Sequence, residues 1–280
     1  MPVRIASLRT RTVTQTRTTA PSDGVAVSLR GLAKIFRGTD GVDVHALEGV
    51  DLAIANKEFL CLLGGSGCGK SPLLRIIAGF EKPTAGEVTV CGEPVRGPGP
   101  DRGVVFQDYG LFPWLSVADN IGFGLRRRGI AKPLADATVA RFIAMVGLER
   151  FAKKFPSQLS GGMQQRVAIA RVLANDPAVL LMDEPFGALD SLTRETMQHE
   201  LQAICDELRT TVVFVTHSVE EAVYLGDRVI VMGGGPGTGG PGHIKATVPV
   251  ALEHPRDVTS PEFNQIKRDL LDLVHGKESA

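Results

Sequence analysis

Eight residues constrain this chain more than any others. Gly64-Gly-Ser-Gly-Cys-Gly69-Lys70-Ser71 follows the apolar run Phe59–Leu63 and precedes Leu73, Leu74, Ile76 and Ile77. The apolar run has strand length, and the residues after the loop have helical spacing. The order is therefore strand, glycine-rich loop, helix, and it fits the pattern GxxxxGK[ST]. Glycines let the backbone curl until its N–H groups converge on phosphate oxygens. The following helix turns its positive end to the same point. Gly64, Gly65, Ser66, Gly67, Cys68 and Gly69 would form the cradle. Lys70 would place a cation between the β- and γ-phosphates, and Ser71 would offer a hydroxyl to Mg²⁺. A glycine-rich turn without a ligand is the alternative, and the flanking strand and helix argue against it.

A second segment brings carboxylates. In Val179-Leu-Leu-Met-Asp183-Glu184, four apolar residues end on two acids. Ligands of open α/β sheets gather at the C-terminal ends of the strands. Asp183 would hold Mg²⁺ through water, and Glu184 would polarise the attacking water as general base. An acidic pair after a strand is by itself more often a helix cap. The phosphate loop upstream favours the nucleotide.

Other strands are read at Val25–Leu29, Val50–Ile54, Glu87–Cys91, Val104–Phe106, Thr211–Val215 and Arg228–Met232. Helical spacing occupies Arg194–Leu208 and Val219–Leu225. Alternation of this kind predicts an α/β fold with a largely parallel core sheet. From 108 to 176 the pattern turns helical, which predicts an inserted helical subdomain. There Val139, Phe142, Ile143 and Val146 share one helix face, and Gly147 stops it. The domain is expected to span 25–250, with a helical tail over 251–280 whose apolar face is Phe263, Ile266, Leu270 and Val274. Gly233–Gly242 reads as a flexible loop. Absence of internal repeats predicts one such domain.

Charge and composition narrow the function. Lys+Arg and Asp+Glu both number 31 in 280 residues, so there is no basic excess to support nucleic-acid binding. No apolar stretch reaches the roughly 20 residues that span a bilayer. Cys61, Cys68, Cys91 and Cys205 have neither CxxC nor zinc-finger spacing, and read as reduced, mostly buried thiols. Residues 1–24, with Arg4, Arg9, Arg11 and Arg17, read as a disordered basic extension, with an organelle transit peptide as the alternative.

Leu159-Ser160-Gly161-Gly162-Met163-Gln164-Gln165 resembles the signature motif of ABC ATPases. Ser160 and glycine amides at a helix start would form a second anion site. Order and spacing along residues 25–232 carry the likeness. Gln107, which ends the run GVVFQ, looks like the glutamine that contacts Mg²⁺ and reports to a membrane partner. Ala188-Leu189-Asp190 looks like the D-loop. His217 looks like the switch histidine on the γ-phosphate. Phe36 stands where the family has an aromatic stacked on adenine, or it belongs to the core. The resemblance implies a P-loop NTPase of ABC ATPase fold, with an N-terminal antiparallel β part. It also implies ATP and Mg²⁺ as cofactors, and a second ATPase subunit facing the first so that ATP lies between the P-loop of one and Ser160, Gly161 and Gly162 of the other. Transmembrane permease subunits, an indirectly coupled external binding protein and a place on the cytoplasmic face of the plasma membrane follow from the same likeness.

Gly110–Trp114 (GLFPW), Met182–Asp190, Phe214–Tyr224, Pro255–Asp257 and Ser260–Phe263 are similar to the nitrate, sulfonate and taurine importer branch. Phe112, Pro113 and Trp114 would dock a permease; burial of Trp114 in the helical part is the alternative. Translation or DNA-repair relatives, which carry two ATPase domains or a coiled-coil insert, are the runner-up, followed by a nucleotide-binding regulator with impaired turnover. Three departures stand out. Lys57 replaces a turn glycine, so Asn56 is expected to supply the positive φ. The Gly233–Gly242 segment is unusually long. Pro72 replaces a Thr that gives the α-phosphate an N–H and a hydroxyl. Pro72 fits the first helical turn, but it biases Ser71 away from helical angles and threatens the placing of its hydroxyl.

Overall fold

Two kinds of strand meet in one sheet. A computed structural model describes residues 24–38, 41–235 and 240–276. Most of the basic extension expected over 1–24 therefore lies outside the described residues. The strands are β1 (Val25–Arg37), β2 (Asp43–Ala55), β3 (Phe59–Leu63), β4 (Ala85–Val90), β5 (Glu93–Pro94), β6 (Arg102–Val105), β7 (Val179–Asp183), β8 (Thr211–Thr216), β9 (Arg228–Gly235) and β10 (Gly240–Pro249). Their order across the sheet is β5-β4-β1-β2-β10-β9-β3-β8-β7-β6.

β6, β7, β8, β3 and β9 run parallel, as the unbroken apolar runs predict, because such strands are covered on both faces. Along β3, Phe59, Cys61 and Leu63 enter one core, and Leu60 and Leu62 enter the other. β1, β2, β4 and β5 form the antiparallel part. β10 returns antiparallel to β9 and touches β2 at Gly242 and Leu47, joining the two parts.

Helix α1 (Lys70–Ala78) fills one core with Leu73, Leu74, Ile76 and Ile77. The other core receives α2 (Val117–Arg127), α3 (Lys132–Met145), α4 (Gly161–Leu173), α5 (Ser191–Leu208), α6 (Val219–Leu225) and α7 (Pro261–His275). α2, α3 and α4 lie between β6 and β7 and pack on one another. Each buried Leu, Ile, Val or Phe in these cores contributes roughly 1.5–3 kcal/mol. Phe263 and Leu270 of α7 are fully buried, so the tail helix is part of the body. All four cysteines are free thiols; Cys91 is exposed and the others are buried. Burial raises the thiol pKa of Cys205 to about 12.

Two sequence expectations change here. Lys57 itself takes the positive φ, 66°, and Asn56 does not. The Lys57 N–H donates to Thr211 Oγ1 at 2.8 Å, an anchor 154 residues away that offsets the cost of a left-handed lysine. The Gly-rich segment is not a loop throughout: Gly233–Gly235 end β9 and Gly240–Gly242 begin β10. Cross-strand bonding from Gly235 to Gly240 overrides the weak strand preference of glycine.

Candidate active site

The phosphate loop leaves β3 at Leu63 and enters α1 through Gly69, whose φ of 95° makes the turn into the helix. Lys70 is buried, and its Nζ donates to the carbonyls of Gly64 at 2.7 Å and Gly65 at 2.9 Å. The cation is thereby held at the loop's mouth. Pro72 is the third residue of α1, where its missing N–H would have no partner inside the helix. The first helical bond runs from the Leu73 N–H to the Gly69 carbonyl at 3.0 Å.

Ser71 keeps its helical place despite the proline, so the expected displacement is absent. Its hydroxyl donates to Asp183 Oδ1 at 3.2 Å. The bias before proline is a preference, and the flanking loop and strand overrule it. Burial raises the Asp183 pKa, the nearby Glu184 raises it further, and the Ser71 hydrogen bond opposes them. Ser71 and Asp183 thus present oxygen donors side by side, a set suited to a hard cation that keeps several waters. Among the described residues there is no group of three or more His, Cys, Asp or Glu that could hold a metal.

Glu184 follows β7 with φ 46°, a strained conformation for a side chain of its size. Its N–H donates to the Val215 carbonyl of β8 at 3.1 Å. Its Oε2 lies 3.3 Å from Nδ1 of His217. Both side chains line a cleft of 590 Å³ together with Ser66, Gly67, Gly69, Lys70, Ser71 and Pro72.

The same cleft is lined by Val44, His45 and Ala46 of β2 and by Gly235 and Gly240. Sequence reasoning missed these. A Cβ on Gly235 would fall 2.8 Å from the Gly67 carbonyl carbon and oxygen, and one on Gly242 would fall 2.3 Å from the Cys68 carbonyl oxygen. The glycines of the β9–β10 hairpin let its backbone lie against the backbone of the phosphate loop. An abundance of glycine was visible in the sequence; what it approaches was not. Phe36 is paired with Val44 in the β1–β2 ladder, beside the cleft but not in its lining, with Lys34 Nζ 4.6 Å over its ring.

Other expected residues stand outside the cleft lining. Gln107 follows β6, with its amide nitrogen 3.4 Å from where a Gly187 Cβ would sit, next to the Glu184 carbonyl. Ser160 caps α4, its side chain accepting the Met163 N–H at 3.4 Å, with Gly161 and Gly162 in the first turn. Asp190 caps α5, accepting the Thr193 N–H at 3.0 Å, a bond that lowers its pKa. A Cβ on Gly162 would meet the Thr193 methyl at 2.7 Å, so these two helix starts pack together. Trp114 is 70% exposed, which overturns the buried alternative. Phe112 packs against both it and Phe123 with tilted rings, the centroids 5.7 and 4.4 Å away.

The chain is 52% identical over 250 residues to an uncharacterized ABC transporter ATP-binding protein of Methanocaldococcus jannaschii, covering 89% of this chain and 91% of that one. It is 43% identical over 258 residues to the nitrate import ATP-binding protein NrtD of Synechocystis, covering 90% and 96%. The dimeric ATP-binding cassette MJ0796, solved in a post-hydrolysis state with ADP and Pi, superimposes with a TM-score of 0.69 at 34% identity, over 81% of this chain and 100% of that one. The ABC transporter family model matches residues 47–187. With its phosphate loop, Glu184 and His217 on one cleft of this fold, the chain belongs to the ABC transporter family as an ATP-binding, ATP-hydrolysing subunit.

Proposed function

We propose that this chain hydrolyses MgATP to drive an ABC importer for nitrate-, sulfonate- or taurine-type substrates. The observation that carries the chemistry is the contact between Glu184 and His217, on the same cleft as Lys70 and Ser71. The amides of 64–69 bind the phosphates, and Lys70 exchanges loop carbonyls for β- and γ-phosphate oxygens. Ser71 and Asp183 would hold Mg²⁺, with Gln107 as a further ligand. The ion, when bound, neutralises charge on the β- and γ-phosphates. Glu184 accepts a proton from the water that attacks the γ-phosphorus. The bond to the β–γ bridging oxygen breaks, and ADP and phosphate leave. His217 donates to a γ-phosphate oxygen and steadies it against that attack. Phe36 supports the adenine from beside Val44.

Ser160, Gly161, Gly162 and Asp190 complete the site of a second copy facing the first. Their position off the cleft lining supports this, as does the dimeric form of the MJ0796 cassette. Exposed Trp114, with half-buried Phe112 against it, offers an aromatic surface to a permease. A peripheral position on the cytoplasmic face, beside the permease, is supported by kinship with a transporter's ATP-binding protein. The kinship with the nitrate import protein supports the importer reading and nitrate among its substrates.

Glu184→Gln tests the chemistry. It should retain MgATP binding and lose about 10²- to 10⁴-fold in turnover, and the ATP-bound form should dimerise more by gel filtration. Unchanged turnover would remove Glu184 as the base.

A further inference from the structure

The turn that carries His217 is tied from behind by a buried carboxylate. Glu221 of α6 is only 7% exposed, and a buried charge persists only where partners compensate for lost water. Its Oε2 accepts the Thr216 hydroxyl at 2.5 Å, and its Oε1 accepts the Gln198 amide at 3.2 Å. The Thr216 oxygen in turn accepts the Ser218 N–H at 2.9 Å. One hydroxyl therefore spans residue 217: it belongs to the residue before and holds the backbone of the residue after. Ser218 Oγ accepts the Glu221 N–H at 3.3 Å and closes the clamp.

His217 has little packing of its own, with its side chain 66% exposed. Its direction is set by its backbone and by Glu184. On the far side, Nε of Arg194 lies 3.8 Å from Glu221 Oε1, and its Nη2 donates to the Leu189 carbonyl at 3.0 Å. One guanidinium thus bears on both the Leu189–Asp190 loop and the carboxylate beneath the histidine.

We propose that Thr216 and Glu221 are positioning residues for ATP turnover. They hold the backbone at 217 so that the imidazole stays on Glu184 and the cleft, and Arg194 joins that clamp to the Leu189–Asp190 loop. Neither Thr216 nor Glu221 lines the cleft, so they act through His217 and not on the nucleotide. The proposal rests on the reading of His217 given above.

The test compares ATPase rates and MgATP affinities of the full chain carrying Thr216→Val, Thr216→Ser, His217→Ala, and Thr216→Val with His217→Ala. Valine keeps the shape and removes both hydroxyl bonds; serine keeps the hydroxyl. Thr216→Val should lower kcat about 10- to 100-fold, the scale of a small misplacement, with affinity unchanged, and Thr216→Ser should retain most of the rate. In the His217→Ala background, Thr216→Val should change kcat by less than about twofold, because residues acting as one unit are not additive. Equal fractional losses in both backgrounds, or losses shared by Thr216→Ser, would overturn the clamp in favour of a general structural role. Full activity of Thr216→Val beside an impaired His217→Ala would overturn the clamp alone. Full activity of His217→Ala would remove the reading of His217 and the clamp with it. If Thr216→Val melts early, Thr216→Val with Glu221→Leu removes the clamp without stranding a buried charge, and the same outcomes decide.

Discussion

Ser71 Oγ donates to Asp183 Oδ1 across 3.2 Å, joining the first turn of α1 to the end of a strand 112 residues later. The bond sets a hydroxyl and a carboxylate together at the cleft before any ligand arrives. Asp183 lies in a partly desolvated place beside Glu184, where its ionised form is disfavoured although the Ser71 bond favours it.

Asp183→Asn should therefore raise the melting temperature of the nucleotide-free protein at neutral pH. The sign follows from a raised folded pKa. The native state keeps its proton to higher pH than the unfolded chain, so stability falls as pH rises from about 3.9 through the folded value, and the penalty persists above it. The gain from Asp183→Asn should vanish near pH 4, while Mg²⁺-dependent ATP affinity and turnover fall. Thermal melts from pH 4 to 8 and MgATP titrations would check both. A lower melting point at pH 7 would show that the carboxylate is a net stabiliser.

Pro72→Thr should tighten MgATP binding without altering the fold. Ser71 is already in place, so the missing N–H and hydroxyl at 72 are the whole deficit. A hydrogen bond to a charged group is worth roughly 1.5–3 kcal/mol, which is about 10- to 150-fold in Kd. Calorimetric titration of both proteins decides it. Equal affinities would mean that other loop amides compensate.

Gly242→Ala should disturb the phosphate loop from outside. The added methyl would sit 2.3 Å from the Cys68 carbonyl oxygen, and backbone must move. Overpacking of this sort costs about 1–3 kcal/mol, and MgATP affinity should drop with it. Gly240→Ala, whose Cβ meets nothing within 4 Å, is the control and should be silent for stability. Denaturant melts and nucleotide titrations on the two variants separate contact from composition.

Trp114→Ala and Asn120→Ala should differ in kind. Trp114 is exposed, so its loss should leave stability and isolated ATPase intact and weaken co-sedimentation with permease-containing membranes. Asn120 is buried and holds the loop beneath, bonding the N–H and carbonyl of Phe112 and the carbonyls of Leu115 and Ser116. Truncating it strands those groups, at about 1–3 kcal/mol for each left buried and unpaired. Equal destabilisation by both would put Trp114 back in the structural framework.

Much of the site was legible because its signals are local. Gly69 before Lys70 needs only its own φ and the helix behind it. FLCLL reads as a doubly covered strand from five adjacent residues. Phe263, Ile266, Leu270 and Val274 mark a buried helix face by spacing alone. Lys57 was misread because the anchor that holds its left-handed turn, Thr211, lies on another strand. The Gly-rich segment was misread because glycine composition alone does not register ladder bonds.

The chain's sequence by itself determined the family, the α/β plan with its parallel core strands, and which residues are expected to meet ATP. Those properties follow from residue type and short spacing, and tertiary structure adds nothing to a glycine's freedom or a lysine's charge. The fold alone decided which distant backbones touch. β9 lies beside β3, and β10 beside β9 and β2, so Gly235 and Gly242 come against Gly67 and Cys68. α5 lies against α6, so Gln198 and Arg194 reach the carboxylate that clamps Thr216. Such contacts depend on strand order and helix packing across 150 residues or more of chain in the first case and on the burial of a charge in the second. Neither is encoded in any window short enough to read by period.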